Sequence, residues 1–232
     1  MTNPDTKSLA QLQRRRFLLN AGGIGAAGLG IGFLTKNTFA AAVAAIKQGC
    51  STTPSMTEGP FYINPALLRT NITDGLPGIP LILDLKVVQV GSCTPIKDAI
   101  VDIWHCDVDG LYSGFTRQLN NTDTTGENFC RGIQVTDQNG LVRFCTIYPG
   151  WYPGRTVHVH IKVITATRTL TSQLYFDDAL NDEIFTSLEP YDVRGNSGRT
   201  RNNRDGIFNS ATVVTHKMVG GGVLASHTLG IA

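Results

Sequence analysis

The sequence predicts an all-β fold, an antiparallel β-sandwich with long loops and little helix. Residues 81–90 alternate as a strand does, with Leu83, Leu85 and Val87 on one face and Asp84 and Lys86 on the other. Further runs rich in β-branched and aromatic residues follow at 99–105, 133–136, 142–147, 157–165 and 171–176. Gly, Pro, Asn and Asp fill the gaps between them, as expected of many short strands joined by turns.

Residues 1–45 stand apart from this pattern. Arg14-Arg15-Arg16 precede a weakly apolar Gly/Ala-rich run, which ends in small residues. The segment resembles a twin-arginine signal peptide, so the twin-arginine export machinery is an expected partner and the expected location is exported, periplasmic or extracellular. The run is too short and glycine-rich for a membrane span, which needs ~20 apolar residues, so no stable span is expected after cleavage. Residues 1–44 hold five of the 20 Lys+Arg and one of the 18 Asp+Glu, leaving 15 against 17. The basic balance therefore belongs to the signal. No basic stripe remains to argue for nucleic acid. Residues 46–232, about 190 in all, suit a single domain.

The first strand, 81–90, leads through a Thr-Pro turn to the second, 99–105, which runs into an Asp/Gly turn presenting Tyr112. Strands 133–136 and 142–147 flank Asp137-Gln-Asn-Gly140 and read as a hairpin. That register sets Cys130 opposite Cys145 as one disulfide candidate, and proximity suggests Cys93 with Cys106 as a second. Of the five cysteines, Cys50 is left over. The strand at 157–165 follows a Pro/Gly-rich corner holding Tyr148, Trp151, Tyr152 and Arg155. A short helix is expected at 178–187, a solvated arginine-rich loop at 196–205, and a turn at Gly220-Gly-Gly222 before the last strand.

Chemistry concentrates in residues 146–163, TIYPGWYPGRTVHVHIKV. His158 and His160 are two apart on a strand and so share a face. With Tyr112 and a tyrosine of the corner they make a set of two phenols and two imidazoles. Zinc prefers Cys, His and carboxylate, whereas a hard ion such as Fe³⁺ favours phenolate oxygen. Tyr148 and Tyr152 flank Pro149-Gly-Trp151, and either can be the second phenol by this reasoning.

Three motifs, Asp102-Ile-Trp-His-Cys-Asp-Val-Asp-Gly-Leu-Tyr112-Ser-Gly, Tyr148-Pro-Gly-Trp-Tyr152-Pro-Gly-Arg155-Thr-Val-His158-Val-His160 and Gln173-Leu-Tyr-Phe, occur in that order. Together they resemble the intradiol ring-cleavage dioxygenases, the superfamily of catechol 1,2-dioxygenase and protocatechuate 3,4-dioxygenase. The resemblance runs from Thr57-Glu-Gly-Pro-Phe-Tyr62 to Asp205-Gly-Ile-Phe208. It implies an intradiol-type β-sandwich with a single non-haem Fe(III) per chain, held by Tyr112, Tyr152, His158 and His160. It implies Arg155 and Gln173 as catalytic residues, and Gly59, Pro60, Phe61, Tyr62 and Trp151 as substrate pocket. The reaction implied is cleavage of a catechol by O₂ between the hydroxyl-bearing carbons, giving a muconate-type diacid.

The gap of six residues from Tyr152 to His158 is shorter than in the catechol and protocatechuate enzymes, and the long N-terminal helical dimerisation segment is missing. A shallower site of loose selectivity is expected from a secreted, short branch, with a homodimer left open. His105, His216 and His227 are expected to be structural. The alternatives are a noncatalytic β-sandwich binding module and a Zn or Cu protein using the His-X-His pair.

Overall fold

The computed structural model describes residues 51–232. The expected signal peptide and Cys50 lie outside the described residues. Eight strands form two four-stranded sheets. They are β1 (Pro80–Gln89), β2 (Ile100–Trp104), β3 (Arg131–Val135), β4 (Leu141–Ile147), β5 (His158–Ile164), β6 (Thr169–Tyr175), β7 (Thr215–Val219) and β8 (Gly222–Ile231). One sheet has the order β4-β1-β8-β7 and the other β3-β2-β5-β6.

Strand periodicity builds the core. Leu81, Leu83, Leu85 and Val87 of β1 meet Val101, Ile103, Val159, Ile161 and Val163 of the other sheet in one buried cluster. Each fully buried side chain of this kind contributes about 1.5–3 kcal/mol. The alternate residues of β2, β5 and β6, namely Asp102, Trp104, His158, His160, Gln173 and Tyr175, therefore face away from the core, and loops cover them. Register places Arg131, Trp104, His160 and Gln173 in one row across four strands, with His158 beside Tyr175.

The expected sandwich forms, its strand pairs antiparallel except for β1 and β8, which pair in parallel. One expectation fails on topology. Residues 133–136 and 142–147 are joined by the expected turn, in which the Asp137 carboxylate accepts from Asn139 N and Leu141 N at 2.8 and 2.9 Å. They do not form a hairpin, since β3 and β4 belong to different sheets. An upstream segment runs between them: Ile133 N donates to Leu67 O at 2.8 Å and Cys145 N to Thr70 O at 2.8 Å. Cys130 N is taken by Ile72 O at 2.7 Å. Cys130 and Cys145 are thus separated by a wedge of chain, and both are free thiols, as is Cys106. Cys93 is disulfide-bonded, so neither expected pair exists; its partner lies outside the described residues.

Helix α1 (Asp178–Ser187) starts where Asp177 caps Leu180 N at 2.8 Å, and it buries Leu180, Ile184 and Phe185. The expected solvated loop at 196–205 is instead a folded clasp over α1. Arg199 is 7 % exposed because its guanidinium is held by Asp178 and Asp182 at 2.9 and 2.7 Å. Asn202 and Asp205 are buried with it. No helix among the described residues is long and apolar enough to cross a membrane.

Candidate metal centre

Strand β5 delivers His158 and His160 to one point, 2 % and 1 % exposed. Tyr112 arrives from the turn after β2. That turn is built on Asp107, whose carboxylate accepts from Asp109 N and Leu111 N, each at 2.9 Å. Gln118 grips Tyr112 at both ends of its backbone, accepting from Tyr112 N and donating to Tyr112 O at 2.7 Å each. Tyr152 stands on the Pro/Gly corner, where residues 149–155 turn too tightly for a strand.

Four donor atoms converge. His158 Nε2 lies 3.1 Å from His160 Nε2, 3.3 Å from the Tyr112 hydroxyl and 3.2 Å from the Tyr152 hydroxyl. Nδ1 of His158 donates to Thr156 O at 2.6 Å, which leaves Nε2 as the bare lone pair. One lone pair cannot serve three neighbours, whereas a cation among the four atoms satisfies all of them at once. Burial raises Tyr112 well above an ordinary phenol and Tyr152 to about 12. Burial likewise holds His158 down near 3 and keeps His160 neutral. Neutral imidazoles are ready ligands, and phenols this reluctant to ionise would do so beside a multiply charged ion. The donor set therefore fits a hard trivalent metal. No group of three His, Cys, Asp or Glu side chains suited to a metal occurs among the described residues.

The surroundings fix these groups. Trp104 stacks on His160 with centroids 4.9 Å apart and planes 6° apart, and Phe61 stacks on Tyr112 at 4.4 Å and 9°. Gly59 sits so close that a Cβ there would meet His160 Cε1 at 3.3 Å. Arg155 donates to Asp205 Oδ2 at 2.9 Å and, through Nη2, to Gln173 Oε1. Gln173 also accepts from the Tyr175 hydroxyl at 2.9 Å and donates to Thr57 O at 3.0 Å. Burial would raise the Asp205 carboxyl, but bonds from Ile207 N and Thr156 N and the Arg155 charge hold it below the usual carboxylate range.

A cavity of about 330 Å³ opens beside the centre, lined by Phe61, Gly110, Arg117, Gln118, Leu119 and Tyr152. Of the residues expected in a pocket, only Phe61 lines it. Tyr62 packs on Trp104 and donates to Asp102 Oδ2 at 3.1 Å, and Pro60 is exposed. Trp151 turns away, donating Nε1 to Gly195 O at 2.9 Å beneath Arg194. Tyr148 is core, its hydroxyl on Asn181 at 2.8 Å. His105 is held by Cys106 O and Thr146 Oγ1, both at 2.8 Å, and burial lowers it to about 4. Sequence reasoning missed Asp205 and Tyr175. Tyr175 was within reach, two residues after Gln173 on the same strand face.

Comparisons with known proteins give the family. The family model described as Dioxygenase matches residues 57–207. The chain is 31 % identical over 177 residues to a chlorocatechol 1,2-dioxygenase of Cupriavidus pinatubonensis, covering 66 % of each chain. It thus spans about two thirds of the length of that relative. An intradiol ring-cleavage dioxygenase from Tetranychus urticae superposes with a TM-score of 0.70 at 32 % identity, covering 78 % of this chain and 94 % of that one. The dioxygenase domain of a carbohydrate-binding fusion protein from Streptomyces sp. SirexAA-E does so with a TM-score of 0.59 at 30 % identity, covering 78 % and 98 %. A β-sandwich whose outer sheet face gathers two tyrosines, two histidines and a clamped arginine, matched along most of its described length, belongs to the intradiol ring-cleavage dioxygenase family.

Proposed function

We propose that this chain is an exported non-haem ferric dioxygenase that opens catechol rings between the hydroxyl-bearing carbons and places both atoms of O₂ in a muconate-type diacid. The convergence of two phenol oxygens and the His160 nitrogen within 3.3 Å of His158 Nε2 carries the reading. Tyr112, Tyr152, His158 and His160 would hold the metal. Ferric iron, when bound, supplies the Lewis acidity that lets a catechol lose its protons near neutral pH. Tyr152 is the phenol that borders the cavity, whereas Tyr112 is wholly buried under Phe61, so the Tyr152 oxygen is placed to take up a proton from an arriving catechol. Arg155, held by Asp205 and Gln173, is a fixed cation beside that position and would stabilise negative charge as it develops on the ring. Export rests on Arg14-Arg15-Arg16 and the Gly/Ala-rich run after them.

The test is oxygen uptake by iron-loaded protein, with ultraviolet detection of a muconate. Uptake with stoichiometric muconate is expected. No uptake with any catechol, or a semialdehyde from cleavage outside the diol, overturns the reading.

A further inference from the structure

We propose that a second, apolar subsite beside the metal centre takes the uncharged distal ring of a two-ring catechol. The inference rests on the ring-cleavage reading above and names the substrate class of that site. Beyond Leu119, which lines the cavity at the metal centre, lies a larger one of about 770 Å³. Leu76, Pro77, Val108, Leu111, Leu119 and Val193 give it apolar walls. Pockets of roughly 300–1,000 Å³ hold whole drug-sized ligands, so a bare catechol in the smaller cavity leaves the larger one with nothing to bind. The two adjoin at Leu119, and the turn 109–111 gives Gly110 to the smaller and Asp109 and Leu111 to the larger.

That turn is rigid. Asp107 bonds tie it, and Gly110 is packed so tightly that a Cβ would fall 2.4 Å from Trp151 O. The same turn leads into Tyr112, so the groove is held at a set distance from the proposed metal ligand. The opposite rim is anchored as well. Val193 ends the turn Tyr191–Val193, whose Tyr191 is buried and donates its hydroxyl to Tyr148 O at 2.5 Å. Val193 is 88 % exposed, the most open of the large apolar side chains among the described residues. An apolar side chain this open on the lip of an apolar groove is covered when an apolar group enters.

Charge selects the kind of group. Asp107 and Asp109 line the groove, and its one cation, Arg194, is spent on the Trp151 ring at 4.0 Å and on Asp109 O. An acidic substituent is repelled and a neutral aromatic ring is accepted.

The experiment compares catechol, 4-methylcatechol and 4-benzylcatechol by kcat/KM on iron-loaded protein. In parallel, calorimetry on the same protein follows binding of 4-benzylphenol and 4-methylphenol, which have no diol to cleave. The expected result is a preference of about tenfold for the two-ring compound in both assays, the order of gain that a modest apolar contact gives. Val193→Asp should abolish that preference while catechol turnover stays unchanged, and Val193→Leu should keep it. Because Val193 is so exposed, both variants should melt with the parent. Equal kcat/KM for 4-methylcatechol and 4-benzylcatechol, or a Val193→Asp loss shared equally by bare catechol, overturns the subsite. Protein that prefers 4-benzylphenol in calorimetry yet cleaves no catechol overturns the ring-cleavage reading and leaves the subsite standing.

Discussion

Arg155 and Asp205, 50 residues apart, are joined by a 2.9 Å bond from Nε to Oδ2, and the same carboxylate oxygen accepts from Thr156 N at 2.9 Å. The carboxylate thus fixes both the guanidinium and the start of the strand that carries the histidines. If Arg155 stabilises charge during reaction, Arg155→Ala should lower kcat by about 10²-fold, the scale of losing one oriented donor, and raise KM far less. Asp205→Asn keeps one acceptor and should lower kcat by a smaller factor, with Asp205→Ala worse. Steady-state kinetics decides: a change confined to KM would make Arg155 a binding residue only.

Iron content and colour test the ligand set. Protein loaded with Fe³⁺ should absorb strongly in the visible through phenolate-to-metal charge transfer, and Tyr152→Phe should shift or weaken that band. His158→Ala and His160→Ala should lower metal affinity by more than the 10–100-fold seen for outer partners, since each removes a direct bond. Metal analysis with the visible spectrum checks this. Full occupancy in both histidine variants would strike them from the ligand set.

The strands were legible because alternation writes which face each residue takes, and His158 with His160 followed from the same rule. Partnership was less so. Nothing local in residues 130–147 says that residues 67–72 will run between β3 and β4, so the hairpin and its Cys130–Cys145 bridge were read from a register that never forms. Asp205 was hidden for a related reason. A polar, arginine-rich stretch looks solvated by composition, and only the fold shows Arg199 clamped by Asp178 and Asp182 and Asp205 turned inward onto Arg155. The parallel β1/β8 pair joins strands from opposite ends of the described chain, a distance that no local pattern reports.

Thiol chemistry follows from the corrected cysteines. Cys106 and Cys130 are buried, and burial pushes both thiols up, away from the reactive thiolate. Cys145 is only partly buried. Native protein should therefore react slowly at Cys145 alone, and denatured, unreduced protein should show Cys106, Cys130 and Cys145 as free thiols with Cys93 in a disulfide. Peptide mass mapping after alkylation reads this directly, and a peptide linking Cys130 to any other cysteine would contradict the wedge between β3 and β4.

Asp102 gives the fold a pH dependence separate from the metal. It lies on the outer face of β2, 4 % exposed, accepting from Tyr62, while Lys162 caps the Tyr62 ring at 3.7 Å and pairs with Glu58. These contacts pin residues 58–62 over the sheet. Burial raises the Asp102 carboxyl from 3.8 to about 7, outweighing the Tyr62 bond and the Lys162 and Arg131 charges, which pull it down. The folded state therefore binds this proton more tightly than the unfolded chain. Its contribution is whole below about pH 4 and is lost progressively as pH rises to about 7, at up to about 1.4 kcal/mol per pH unit. Asp102→Asn is neutral throughout and lacks that slope. Measured in parallel at constant iron loading, the variant should gain Tm relative to the parent between pH 4 and pH 7 and keep a constant difference from it above that. A Tm difference that stays flat from pH 4 to 8, or moves the other way, would show that Asp102 is already ionised in the folded protein across this range.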